Sequence, residues 1–175
     1  MSQYLVLTAI GSDRTGCVSE LTKLVSECGC NISDSRMAIF GLEFTFIMLL
    51  QGDNHAINKL EARLPMVAHN LELITMMKRT SGHKVYDLVE HYQAEYTGID
   101  QPGILQSMTA FFSTRKIDIS SLKSKIDPKN NTMCASISFA LTQKVNIKDI
   151  EKDFLQLCEE ISIQGKIKKN SHNPI

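Results

Sequence analysis

GSDRTGCV (Gly11–Val18) and GIDQPGIL (Gly98–Leu105) carry glycine, aspartate and glycine at the same three positions, 87 residues apart. The first follows an apolar run, the second a strand-like segment, and each opens a helix-like pattern. The same offset carries Thr22 onto Thr109, Ser26 onto Ser113, Ile32 onto Ile119 and Ser33 onto Ser120 without a gap. Apolar positions coincide as well, Leu21 with Met108 and Val25 with Phe112. Two loops of one pattern, each followed by a matching helical stretch, mark two copies of one unit.

The first copy reads outward from its loop. Tyr4 to Ala9 is a short apolar strand. Val18, Leu21, Val25 and Cys28 recur at helical spacing, and Gly29 ends that helix. Asn31 to Phe40 and Glu43 to Gln51 are strand-like segments parted at Gly41, as in a hairpin. Ile57, Leu60 and Leu64 form a second helical stripe that Pro65 is expected to close. Leu71 to Met77 reads as the last strand. The order is β-α-β-β-α-β, the ferredoxin-like arrangement.

The second copy repeats it. A strand lies within Asp87 to Thr97, and a helix carries Ile104, Leu105, Met108, Phe111 and Phe112. Strands over Ile119 to Ile126 and Met133 to Thr142 flank a polar turn at Asp127 to Asn131. Ile147, Ile150, Phe154, Leu157 and Cys158 make an amphipathic stripe, and Ile161 to Ile167 the final strand. The fold class is therefore α+β, two ferredoxin-like units in tandem. Residues 1–80 form the first domain, 81–85 a linker, 86–169 the second domain and 170–175 a tail. In Phe44 to Leu50 nearly every position is apolar, which predicts burial of both strand faces.

Bulk composition narrows the function. Lys plus Arg and Asp plus Glu both number 19, so the formal charge is zero. A chain that grips nucleic acid by itself usually carries a basic excess, so direct DNA binding is not expected. MSQYLVLTAI has neither a basic start nor a long apolar stretch, and no run is long enough to span a bilayer. Five cysteines without a framework spacing predict reduced thiols and a cytoplasmic protein.

The loop excludes some ligands. A Walker loop requires lysine after its last glycine, where Cys17 stands. A dinucleotide fingerprint requires glycine where Asp13 stands, and a carboxylate there repels pyrophosphate. A helix N-terminus still offers unpaired N–H groups to a small carboxylate, with Asp13 free to meet an ammonium group. Asp13 as a plain helix cap is the alternative. Cys17, beside Arg14 at the helix start, admits a redox or nucleophilic role, but the second copy has Ile104 there. The histidines never pair at i,i+4, so no metal site is expected, and no catalytic motif is present. Lys166, Lys168 and Lys169 read as a solvated strand end.

With both loops in view, YLVLTAIGSDRTG (Tyr4–Gly16), CGCNISDSRMAIFGLEFTFIMLLQG (Cys28–Gly52) and ITMMKRT (Ile74–Thr80) resemble the glycine cleavage system transcriptional repressor family of tandem ACT-domain proteins. The resemblance spans nearly the whole chain and is stronger in the first copy. It implies a cytoplasmic regulator without enzymatic activity or cofactor. Such a regulator restrains a LysR-type activator of the glycine cleavage operon by protein contact and is relieved by glycine. It leaves room for a homodimer through ACT sheet edges or faces, and for a free-standing amino-acid-binding module that regulates a metabolic enzyme. Transferred to matching positions, the candidate ligand residues are Gly11, Asp13, Arg14, Gly16 and Asn31, with Gly98, Asp100, Gly103 and Asp118 as counterparts. Thr15 stands where many ACT loops, and Pro102 here, have proline. Asp118 replaces the Asn31 type.

Overall fold

The structure, a computed structural model, describes residues 2–81, 89–142 and 145–170. The chain divides into two compact units, Met1–Lys84 and Val85–Ile175. Most of the expected linker, and the tail after Asn170, lie outside the described residues.

In the first unit, β1 (Gln3–Ser12), α1 (Cys17–Glu27), β2 (Asn31–Phe40), β3 (Glu43–Gly52), α2 (Asn54–Asn70) and β4 (Ile74–Thr80) follow the βαββαβ order. The four strands form one antiparallel sheet, β2-β3-β1-β4. In the second unit, β5 (Val89–Ile99), α3 (Ile104–Thr114), β6 (Ile119–Asp127), β7 (Thr132–Thr142), α4 (Ile147–Glu160) and β8 (Gln164–Lys169) repeat it, with sheet order β6-β7-β5-β8. Both units are α+β and ferredoxin-like, as the sequence predicts.

Side chains alternate across each strand, so one face of each sheet meets both helices. Leu5, Leu7 and Ala9 of β1 and Phe44, Phe46, Met48 and Leu50 of β3 pack under Leu21, Leu24 and Val25 of α1 and Ile57, Leu60 and Leu64 of α2. Each fully buried large side chain contributes about 1.5–3 kcal/mol relative to exposure. The second core is richer in aromatics. Phe112 lies 4.8 Å from Phe139 between ring centroids, and Phe111 meets Phe154 edge-on at 5.8 Å.

Three expectations are corrected. Pro65 does not close α2, which runs on to Asn70. Pro65 faces solvent, and the stripe continues through Ala68, so packing of the apolar face outweighs one lost backbone hydrogen bond. The last strands begin three residues later than expected, at Ile74 and Gln164. The intervening residues cap the preceding helices. Glu72 and Ser162 adopt left-handed φ of 55° and 57°. Leu73 and Ile163 then donate backwards to Ala68 and Cys158 at 2.8 and 2.9 Å. That is a Schellman ending, and α1 and α3 end the same way through Gly29 and Lys116. Finally, β3 is buried on one face only, because Ile47 is 43% exposed and Thr45 and Leu49 are half-buried.

Two details the sequence did not signal are register shifts at matching places. β2 bulges between Ile32 and Asp34, β6 between Ile119 and Ser121. Each bulge falls on a serine, Ser33 or Ser120, that the internal repeat aligns.

Gly165 has no room for a side chain. A Cβ there would sit 2.4 Å from the Cys158 Sγ and 2.7 Å from the Phe154 ring. Gly165→Ala is expected to lower stability by about 1–3 kcal/mol. Adding Cys158→Ala should return part of that loss. Denaturant midpoints of the two single variants and the double measure the coupling, and strict additivity would refute the contact.

Arg79 on β4 donates to both carboxylate oxygens of Glu61 on α2, at 2.7 and 2.9 Å, and to Asn58 at 2.5 Å. The Arg79 hydrogen bond holds the Glu61 carboxyl below its ordinary 4.5. A lowered carboxyl pKa stabilises the fold at neutral pH, and the gain disappears as pH falls through the folded value. Glu61→Gln should therefore cost stability near pH 7, but not once pH falls well below 4.5. Thermal melts of both proteins across pH 3–7 check it.

Candidate functional site

The two loops form the same corner. α1 and α3 each start from a left-handed glycine, Gly16 (φ 99°) and Gly103 (φ 97°), and neither helix has a side-chain cap. A β-branched or bulky residue is strained at those φ values. The glycines turn the chain sharply and leave first-turn N–H groups with no capping side chain. Those groups and the helix dipole favour an anion.

Each corner is held from two sides. The Asp13 N–H donates to the Leu42 carbonyl in the β2–β3 turn at 3.0 Å, and the Asp100 N–H to the Asn131 carbonyl in the β6–β7 turn at 2.8 Å. On the other side, the backbone of Gly11 lies against Leu73 and that of Gly98 against Ile163. A Cβ at either glycine would fall 2.6 Å from the neighbouring side chain. Gly11 and Gly98 thus serve close approach, and Gly16 and Gly103 serve the turn.

Neither corner aspartate caps the helix that follows it. Asp13 does not cap α1, because Gly16 is its N-cap and no side chain caps it. The capping alternative fails because Asp13 stands three residues before that N-cap. Asp13 is exposed and Asp100 half-buried. Among the described residues neither carboxylate makes a hydrogen bond or ion pair. Arg14 turns away from Asp13, donating to the Leu71 carbonyl and standing 3.5 Å from Glu72. The second corner has Gln101 in its place. An anion-favouring helix start beside a free carboxylate matches a zwitterion.

Asn31 and Asp118 are not in the corner of their own unit. Asn31 pairs with Gln51, which pairs with Tyr4 at the opposite end of β1 from Gly11. Seven strand residues at about 3.3 Å each put it about 23 Å away. Asp118, before β6, is displaced likewise, since neighbouring Ile119 pairs through Phe139 to Tyr92. Neither residue is therefore placed to touch a ligand held at the corner of its own unit.

Cys17 is 4% exposed and packs in the first core, so it offers no accessible nucleophile. Cys28, Cys30 and Cys158 are buried as well, and Cys134 is exposed. Burial pushes the Cys30 thiol up, and the Cys158 thiol up to about 11, away from a reactive thiolate. Among the described residues no group of three or more His, Cys, Asp or Glu is placed to hold a metal ion. No helix among them is long and apolar enough to cross a membrane.

The partners of the corner, Leu42, Leu71, Leu73, Asn131 and Ile163, were not legible as site residues. The only trace in the sequence is that each follows a turn residue or a helix end.

The chain is similar to known proteins in sequence and in fold. The ACT domain family model matches residues 3–78. The glycine cleavage system transcriptional repressor of Escherichia coli (strain K12) is 38% identical over 168 residues, covering 94% of this chain and 88% of the relative. The same holds for the protein of that name from Shigella flexneri. A crystal structure described as that of a candidate glycine cleavage system transcriptional repressor superposes with a TM-score of 0.77 at 35% identity, covering 98% of this chain and 99% of the other. An unknown protein from Galdieria sulphuraria, 21% identical with a TM-score of 0.76, shares the fold over 97% of this chain and 99% of its own. With that identity sustained over nearly its whole length, the chain belongs to the glycine cleavage system transcriptional repressor family.

Proposed function

We propose that this chain is a non-enzymatic, cytoplasmic regulator that represses the glycine cleavage system by contact with a LysR-type activator, and that glycine modulates the contact. The repressor names of its relatives support the regulatory part. The observation that carries the sensing part is the uncapped helix start beside an unpaired aspartate, built twice. The amino-acid carboxylate meets the first-turn N–H groups of α1 or α3. Its ammonium group meets Asp13 or Asp100. Gly11, Gly16, Gly98 and Gly103 shape the corners, and Arg14 fixes the first one to the α2–β4 turn. A protein of zero net charge acts on an operator through its partner rather than by gripping phosphates.

Calorimetry of the full chain with glycine and a panel of small amino acids tests the sensing. Asp13→Asn or Asp100→Asn should weaken glycine binding by about tenfold or more, the loss of one charge-assisted hydrogen bond. Absence of heat from every amino acid would remove the sensing claim. Capture by the tagged chain should recover a LysR-type activator and lose it at high glycine. Recovery of a metabolic enzyme instead would overturn the repressor reading in favour of a free-standing ACT module.

A further inference from the structure

The face of the second sheet turned away from its helices carries a different chemistry. Strand register places three rows across β6-β7-β5-β8. They are Lys125–Cys134–Thr97–Gln164, Lys123–Ser136–Glu95–Lys166 and Ser121–Ser138–Gln93–Lys168. The first two rows line a concavity of about 530 Å³, within the range of small-molecule sites. Its floor is hydroxyl, thiol and carboxylate, with the Thr97 hydroxyl 3.4 Å from the Cys134 sulfur. Lysines flank it on both sides, from β6 and from β8, across three strand spacings of about 14 Å in all.

The charges do not balance on this face. Glu95 pairs with Lys166 at 3.1 Å and Lys168 at 3.2 Å. Those lysines hold its carboxyl below the usual range, so it is ionised. Among the described residues Lys123 and Lys125 make no ion pair. They stand two residues apart on the same side of β6, on a chain whose total charge is zero.

The fold does not require this chemistry, because the first unit builds the same face differently. The matching register there puts Ala38 for Lys125, Met76 for Lys166, Thr8 for Glu95, Ile47 for Ser136, Ile10 for Thr97 and Ile74 for Gln164, while Arg36 and Lys78 keep a cation where Lys123 and Lys168 stand. One scaffold thus carries a mainly apolar face with two separated cations in one unit and a hollow walled by lysines on both sides in the other.

We infer that this hollow binds a small polyanion, a phosphorylated or multiply carboxylated metabolite, bridging the β6 and β8 lysines. Lysine suits that task, as a point charge that fits phosphate or carboxylate without fixed fork geometry. The size of the hollow and the grouping of its lysines favour a small molecule over a duplex, whose grip needs a longer track of cations. None of the residues lining the hollow is a candidate ligand residue of the second corner, although Thr97 and Gln164 adjoin Gly98 and Ile163 in the chain, and its test does not involve glycine.

The full chain is titrated with inorganic tripolyphosphate and with citrate by calorimetry, at low and at high salt. At least one should bind below about 1 mM at low salt and weaken as salt screens the lysines. Lys123→Gln/Lys125→Gln should weaken binding by about tenfold or more. Glu95→Gln, which removes the opposing charge from the floor, should tighten it by up to about fivefold. Bound tripolyphosphate should also protect Cys134 of the unaltered chain from alkylation by iodoacetamide. Failure of both anions to bind, or binding indifferent to the lysine changes, overturns the inference. Tighter, lysine-dependent binding of a DNA duplex also overturns it.

Discussion

Everything near the corners depends on backbone approach that a Cβ would forbid. Gly11 ends the buried row of β1, and Leu73 closes the core directly over it. That contact sets where the Schellman ending of α2 can lie, and so where β4 begins. The same turn presents the Leu71 carbonyl to Arg14. From the other side, the Leu42 carbonyl takes the Asp13 N–H and fixes the β2–β3 turn to the loop. The loop is thus immobilised by elements far from it in sequence. A helix start can act as an electrostatic anchor only if it is held in this way, because a mobile loop would lose the gain to ordering entropy.

The second unit reaches the same geometry with other residues. Ile163 does the work of Leu73, Asn131 that of Leu42, and Lys116 takes the left-handed position that Gly29 holds. What the two units share is backbone conformation and the four corner glycines. What differs is side-chain reach. Arg14 ties the first corner to a carbonyl, whereas Gln101 with Pro102 leaves the second to the stiffness of proline.

The tandem fold was legible because two periodicities and one loop recur at a fixed offset. The apolar run of Tyr4 to Ala9 and the helical spacing of Val18, Leu21, Val25 and Cys28 each identify an element without outside help. Element ends were less legible where a tertiary cap overrode local propensity. Leu71 and Ile161 read as strand residues because they are apolar, but they terminate helices, since Leu73 and Ile163 two residues on must fold back over glycine. Pro65 misled for the opposite reason. Its cost is local, and the buried stripe through Leu64 and Ala68 outweighs it. In the corner, the glycines and aspartates were legible from spacing. The position of Asn31 was not, since sequence gives no measure of which end of a sheet a strand start occupies.

The open faces show a further limit of linear reading. In the sequence Lys166 and Lys168 read as a solvated strand end, and no motif singles out Lys123 and Lys125. Their period-two spacing on two strands was the available signal, but only the register brings the pairs to one hollow with Glu95 between them. Backbone geometry at a glycine corner tolerates little substitution, so the corners of the two units look alike. A solvent-facing sheet surface carries no such constraint, and there the units part, with Ala38 and Met76 in one where Lys125 and Lys166 stand in the other. Where a duplicated fold leaves chemistry free to vary, the residues that differ between its copies are the ones that sheet stability does not explain.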